Sequence, residues 1–219
     1  MSDPFATVTF RSTPAPYREL DGGEWTAYPG GNGTQWLGNA EGGPPALEIA
    51  TSVRAHWSER HLFIVFDGAY VRLRTAGEPT AEGGRFETRL WEKSDVYEFF
   101  IGNNARATGR YAEFQLAPDG RLLALTVWQE GSQPVSRPLD DDAFAGSSIV
   151  DTTRRRWLAI MQIPWETIGG NAPTGAWHCN AYRASGKFHG DELLALSPTG
   201  AGDNCFHRFH RFADLEIVD

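Results

Sequence analysis

The sequence predicts an all-β chain: an antiparallel β-sandwich with jelly-roll or immunoglobulin-like layering and little helix. Three observations carry that expectation. Short apolar or alternating runs recur at turn-separated intervals, roughly ten of them, as in sandwiches and barrels. The 24 Gly and 13 Pro punctuate the chain and supply the conformations that turns need. No stretch shows the 3.6-residue apolar period of an amphipathic helix. At 219 residues the chain is long enough for one sizeable core. Without an internal repeat or low-complexity linker it reads as a single domain, 1–219, whose N-terminal part, 1–45, is rich in loops.

The elements follow in order. Gly30-Gly31-Asn32-Gly33 and Gly42-Gly43-Pro44-Pro45 interrupt the first third. Residues 46–57 and 62–66 then read as strands joined by a hairpin turn at Ser58-Glu59-Arg60-His61, with a further strand over 70–74. Residues 75–89, rich in glycine and charge, are expected to form an exposed loop. Residues 95–101 and 111–117 pair across the polar loop 102–110, and Pro118-Asp119-Gly120 turns the chain into a strand over 122–129. Residues 133–146 are expected to be loop, with Asp140-Asp141-Asp142 at its acidic tip. Strands over 149–151 and 157–163 pair around residues 152–156. Pro164 suits the start of a single helical turn within 163–168. Residues 177–184, 192–196 and 215–218 close the fold as strands.

Composition excludes several functions. The formal net charge is −8, whereas nucleic-acid binding is dominated by neutralising phosphates with basic side chains. All the basic residues except Lys93 and Lys187 are arginine, and an acidic, lysine-poor surface does not suit an anionic membrane. A neutral ligand fits better. Cys179 and Cys205 are the only cysteines, which excludes a disulfide scaffold; one bridge stays open to geometry, and two reduced thiols are expected. The N-terminus lacks a basic segment followed by an apolar one, and no run of 18 apolar residues occurs. As written, the chain is expected to be soluble and cytoplasmic.

The segment from Trp91 to Ile101, Trp-Glu-Lys-Ser-Asp-Val-Tyr-Glu-Phe-Phe-Ile, carries the clearest chemical signal. Glu98 sits inside an apolar run, where a charge is costly unless it is bonded or paired. It either closes an internal network, for example with Arg183, or grips a ligand. Trp91 precedes the strand beside Glu92 and Lys93, which suits a surface platform, whereas Trp25, Trp57, Trp157, Trp165 and Trp177 are expected in the core.

Several pieces stand in a recognisable order: Glu19-Leu20-Asp21-Gly22 with Trp25, Val53 to Asp67, Trp91 to Ile101, Tyr111-Ala112-Glu113-Phe114 with Ala117-Pro118-Asp119-Gly120, Ile163-Pro164-Trp165, and Cys205 to Leu215. Together they resemble the family 9 carbohydrate-binding modules, β-sandwiches related to DOMON-type domains. The resemblance implies non-catalytic binding of a mono- or oligosaccharide, a cellulose- or xylan-type glycan end, in an extracellular or periplasmic setting. It implies an aromatic clamp on one sugar ring, with Trp91 at one wall and Phe206, in the family's tryptophan position, at the other. An apolar sugar face stacks on such rings while the hydroxyls take fixed polar partners. Glu98 matches a family carboxylate that accepts sugar hydroxyls, Asn180 falls near a family amide, and Gln115 replaces a frequent arginine, keeping hydrogen bonds but losing the charged fork. Arg183 and His207 complete the candidate set.

Other readings remain beside this one. His207 and His210 would share one face of a helix, which invites a metal reading. Related modules carry calcium on oxygen ligands, so calcium is left open, with Asp67, Asp95 and Glu87 as the nearby carboxylates and no cofactor required. A glycoside hydrolase needs two carboxylates across a cleft; Asp95, Glu98 and Glu113 could furnish them, although strand alternation sends Asp95 and Glu98 to opposite faces. Some relatives of the fold hold haem through methionine, and Met161 is the internal methionine. A protein-interaction sandwich is the remaining alternative.

Overall fold

The computed structural model describes residues 9–14, 34–75, 89–170, 175–184, 193–200 and 205–218. Strand β1 (Thr9–Pro14) alternates, with Phe10 and Ser12 buried and Thr9 and Arg11 exposed. Short β2 (Gln35–Trp36) and β3 (Gly38–Asn39) precede the hairpin of β4 (Thr51–Trp57) and β5 (His61–Ala69). The Ser58 hydroxyl accepts the His61 N–H at 3.1 Å inside that turn. A helical turn α1 (Leu90–Lys93) leads into β6 (Val96–Asn103), and α2 (Ala105–Thr108) connects it to β7 (Tyr111–Leu116). Next come β8 (Leu122–Glu130), β9 (Gln133–Pro138), β10 (Ala145–Asp151) and β11 (Arg156–Pro164). After a 3-10 turn at Trp165–Ile168 the chain forms β12 (Trp177–Ala184) and β13 (Leu193–Ala195). Two more 3-10 turns, Cys205–His207 and Phe209–Arg211, precede β14 (Ala213–Ile217).

Among the described residues the fourteen strands form one continuous sheet in two halves, β10-β11-β5-β4 and β14-β12-β6-β7-β8-β9. Strand β1 joins them, parallel to β14 at Phe10↔Leu215 and parallel to β4 at Ser12↔Ala55. The other ladders are antiparallel, so the expected antiparallel sandwich departs from that pattern only at β1. The halves face each other across one core. Phe66 of β5, Tyr97 of β6 and Trp157 of β11 stack there in series, with ring centroids 4.6 and 3.7 Å apart. Trp165 and Trp177 are also core residues, and Trp57 packs against it, half-buried. Trp25 lies outside the described residues.

Several expected elements differ. Residues 70–74 form no strand; Arg74 is instead held by Asp95, whose N–H donates to the Arg74 carbonyl and whose Oδ2 accepts the Arg74 N–H, both at 2.9 Å. The stretch expected as loop from 133 contains β9, an edge strand on β8. Its Pro134 and Pro138 and its polar surface suit an edge and hide it from sequence patterning. Residues 46–50 are not strand but carry a 3-10 turn, Leu47–Ile49, and loop 102–110 carries α2. The loop expected over 75–89 lies mainly outside the described residues.

Candidate functional site

A second apolar cluster covers the outer face of β6, β7, β8 and β12, capped by residues 205–212. Alternation builds it. In β6, Tyr97, Phe99 and Ile101 point into the core while Val96 and Phe100 join the outer cluster, so Glu98 faces outward with them. In β7, Tyr111 belongs to the outer cluster, and Glu113 and Gln115 follow on the same face. Register places Gln115 and Tyr182 directly opposite Glu98 on its two sides, with Glu113 opposite Phe100. Glu98 and Glu113 are therefore diagonal neighbours on adjacent strands.

All three polar side chains are buried: Glu98 is 4%, Glu113 3% and Gln115 1% exposed. Gln115 Nε2 donates to Glu113 Oε1 at 2.5 Å, while Glu113 Oε2 and Gln115 Oε1 are buried without a hydrogen-bond partner. Neither carboxyl has an ion pair with a cationic side chain among the described residues. Burial, then the Glu113 charge, pushes Glu98 well above the usual carboxylate range. Burial lifts Glu113 to about 7 against the opposing Gln115 hydrogen bond. The aromatic rim comes from the C-terminal segment: Phe206 stacks on Tyr182 at 4.0 Å and 16°, and its carbonyl accepts the Tyr182 hydroxyl at 2.8 Å. His207 stacks on Phe100 at 5.5 Å and its Nδ1 shares a 2.7 Å hydrogen bond with the Tyr111 hydroxyl. Burial lowers the His207 pKa to about 4, which keeps the ring neutral at pH 7.

The structure thus brings Glu98, Gln115, Phe206 and His207 to one face. Trp91 stands on α1 next to Leu90, which is buried in the outer cluster, and is itself 36% exposed, with no ring contact to Phe206 among the described residues. Two candidates are used otherwise. Arg183 lies on the opposite face of β12, where Nη1 donates to the Ile49 carbonyl at 2.9 Å, Thr51 Oγ1 at 3.0 Å and the Ala69 carbonyl at 2.5 Å. It cannot pair with Glu98, because odd and even positions of β12 point apart. Asn180 mainly holds backbone: Nδ2 donates to the Ser197 carbonyl at 2.8 Å, and Oδ1 accepts the N–H of Ser197 at 2.9 Å and of Ala181 at 3.0 Å, while its side chain also reaches the Tyr182 hydroxyl. Glu113, Tyr111 and Tyr182 join the site without having been chosen as ligand contacts. Their signal was the pattern Tyr-x-Glu-x-Gln from Tyr111 to Gln115, which puts three polar groups on one strand face.

The metal candidates are dispersed. Asp67 Oδ1 accepts Arg156 Nε at 2.9 Å and Nη2 at 2.5 Å, Asp95 holds Arg74, and Glu87 lies outside the described residues. No group of three or more His, Cys, Asp or Glu stands together to hold a metal among the described residues. Met161 points into the core. Both cysteines are free and buried; Cys179 is in the core, across β12 from the site. No described helix is long and apolar enough to cross a membrane.

No family model matches the chain, and no curated protein matches it. Solved structures do. A protein from Bacteroides uniformis designated carbohydrate-binding is 18% identical, with a TM-score of 0.67 over 97% of this chain and 100% of that one. A family 9 carbohydrate-binding module from Caldicellulosiruptor kristjanssonii in complex with cellotriose is 10% identical, with a TM-score of 0.62 over 95% of this chain and 93% of that one. The same organism's family 9 module in complex with glucose gives 9% identity and a TM-score of 0.58 over 96% and 95%. The chain shares the sheet-rich sandwich fold of these carbohydrate-binding modules.

Proposed function

We propose that the chain binds carbohydrate without catalysis, on the outer face of β6, β7 and β12. The observation that carries this reading is the floor of unsatisfied acceptors, Glu113 Oε2 and Gln115 Oε1 with Glu98 beside them, laid among aromatic rings. Hydroxyl donors of a sugar would complete those acceptors and remove the cost of leaving a buried polar group unpaired. One face of Phe206 is taken by Tyr182; the other, with Trp91, would flank the ring. The fold shared with modules solved with cellotriose and glucose supports a gluco-configured ligand, with xylan-type chains as the related case. A hydrolase reading is less well supported, because Glu98 and Glu113 share one floor instead of facing each other across a cleft.

Titration calorimetry with glucose, cellotriose and xylotriose tests the proposal. Trp91→Ala is expected to weaken cellotriose binding more than about tenfold, or roughly 1.4 kcal/mol, with a nearly unchanged melting temperature, since the side chain is partly exposed. A Trp91→Ala protein that unfolds would place Trp91 in the fold and remove it from the site. No binding of any of the three sugars would reject the reading.

A further inference from the structure

Resting on the sugar-binding reading, we infer that the acceptor floor selects a sugar carrying a primary ammonium, such as a glucosamine unit, over its neutral counterpart. The argument is a count of donors and acceptors. Glu98, Glu113 and Gln115 lie on one face of two adjacent strands. Glu113 Oε2 and Gln115 Oε1 lack partners although both residues are more than nine-tenths buried. Glu98 makes no hydrogen bond among the described residues. The one donor committed inside the cluster is the Gln115 amide.

A hydroxyl donates one hydrogen bond, whereas an ammonium donates three and accepts none. The Glu98 carboxyl, Glu113 Oε2 and Gln115 Oε1 therefore offer an acceptor for each of the three donors of an ammonium. Charge points the same way. Two carboxyls buried side by side with no cationic side chain among the described residues are costly as anions, and burial raises the pKa of each. Among the described residues the basic ring packed on this face, His207, is neutral at pH 7 and supplies no charge. An ammonium bound there would let one of the two carboxyls release its proton and pair with the cation. Calcium is a poorer match, since it takes 6–8 oxygen ligands and this floor offers three residues.

The decisive measurement is calorimetry at pH 7 with cellotriose, the glucosamine trimer of chitosan type and its fully N-acetylated form. Salt near 0.15 M limits general attraction to the acidic surface. The amino trimer is expected to bind at least tenfold more tightly than either of the others. Glu98→Gln and Glu113→Gln, checked for folding by circular dichroism, are each expected to cut that ratio at least fivefold. Cellotriose binding as tightly as the amino trimer would overturn the inference while leaving the sugar-binding function standing. An amino preference untouched by both substitutions would also overturn it, because the cation would then be read elsewhere. If none of the trimers binds, both readings fall.

Discussion

Arg183 shows how a single side chain can carry a functional-looking signature for a structural reason. It is fully buried, and one nitrogen, Nη1, ties the carbonyls of Ile49 and Ala69 and the hydroxyl of Thr51 together. Those groups belong to the segment before β4, the start of β4 and the end of β5, so the guanidinium closes the end of one half-sheet from a strand of the other. Its Nε and Nη2 have no partner, and the geometry makes it a backbone clamp. Arg183→Ala removes the guanidinium from two carbonyls and a hydroxyl, leaving the Thr51 hydroxyl with its bond to the Ile49 carbonyl, and losing a buried, charge-assisted anchor of this kind costs about 3 kcal/mol. Urea unfolding is expected to show that loss, with cellotriose affinity within threefold of the parent at low denaturant. A stable variant that no longer binds sugar would instead put Arg183 in contact with ligand. Spacing along a strand cannot distinguish these roles, because it does not say which carbonyl lies across the sandwich.

At the scale of elements, β6, β7, β8 and β12 were legible because both of their faces are largely buried, so they read as apolar runs whose few polar residues stand out, while β11 showed mainly one buried face. Glu98 stood out in this way, whereas Gln115 entered through the family resemblance. Edge strand β9 was not legible, since an edge tolerates proline and polar residues, and the fate of Asn180 depended on Ser197, seventeen residues away in a non-adjacent stretch. The β6–β7 pair also fixes a pH dependence. A free glutamate titrates near 4.5, while folded Glu113 keeps its proton to about 7 because it is buried. Between these values the folded state binds more protons than the unfolded one, so stability is complete below 4.5 and falls as the pH rises through 7. Glu98 acts in the same direction. His207 acts oppositely: its pKa is lowered from 6.5 to about 4, so its neutral form costs stability as the pH falls through that window. Glu113→Gln is expected to gain on the order of 3 kcal/mol relative to the parent at pH 8 and little at pH 5, read from urea midpoints at the two pH values. An equal effect at both would mean that the Glu113 charge is compensated in the fold.

At the scale of the whole molecule, the least legible element is also the one that unites it. Strand β1 has six residues in a stretch that otherwise reads as loop, and both of its partners, β4 and β14, lie far off in sequence, so no local pattern announces them. Yet without β1 the direct ladder from β4 to β14 is broken, and the half-sheets would meet through core side chains and the short segment 35–40, whose β2 pairs with β4 and whose β3 pairs with β13. Those side chains are well matched: Tyr97 of one half stacks on Trp157 of the other at 3.7 Å, and Trp165 meets Trp177 at 5.6 Å. Phe10, fully buried, is the β1 residue that enters this shared core. Phe10→Ala removes its apolar contacts and leaves a cavity between the halves, at a cost of about 3–5 kcal/mol. Because the tryptophan contacts still lock the halves together, the variant is expected to unfold in one transition, with near-ultraviolet and far-ultraviolet circular dichroism changing together at a lower urea midpoint. Two separated transitions would show that the tryptophan contacts cannot couple the half-sheets without Phe10 in the shared core, and that this β1 side chain makes the sandwich one cooperative body.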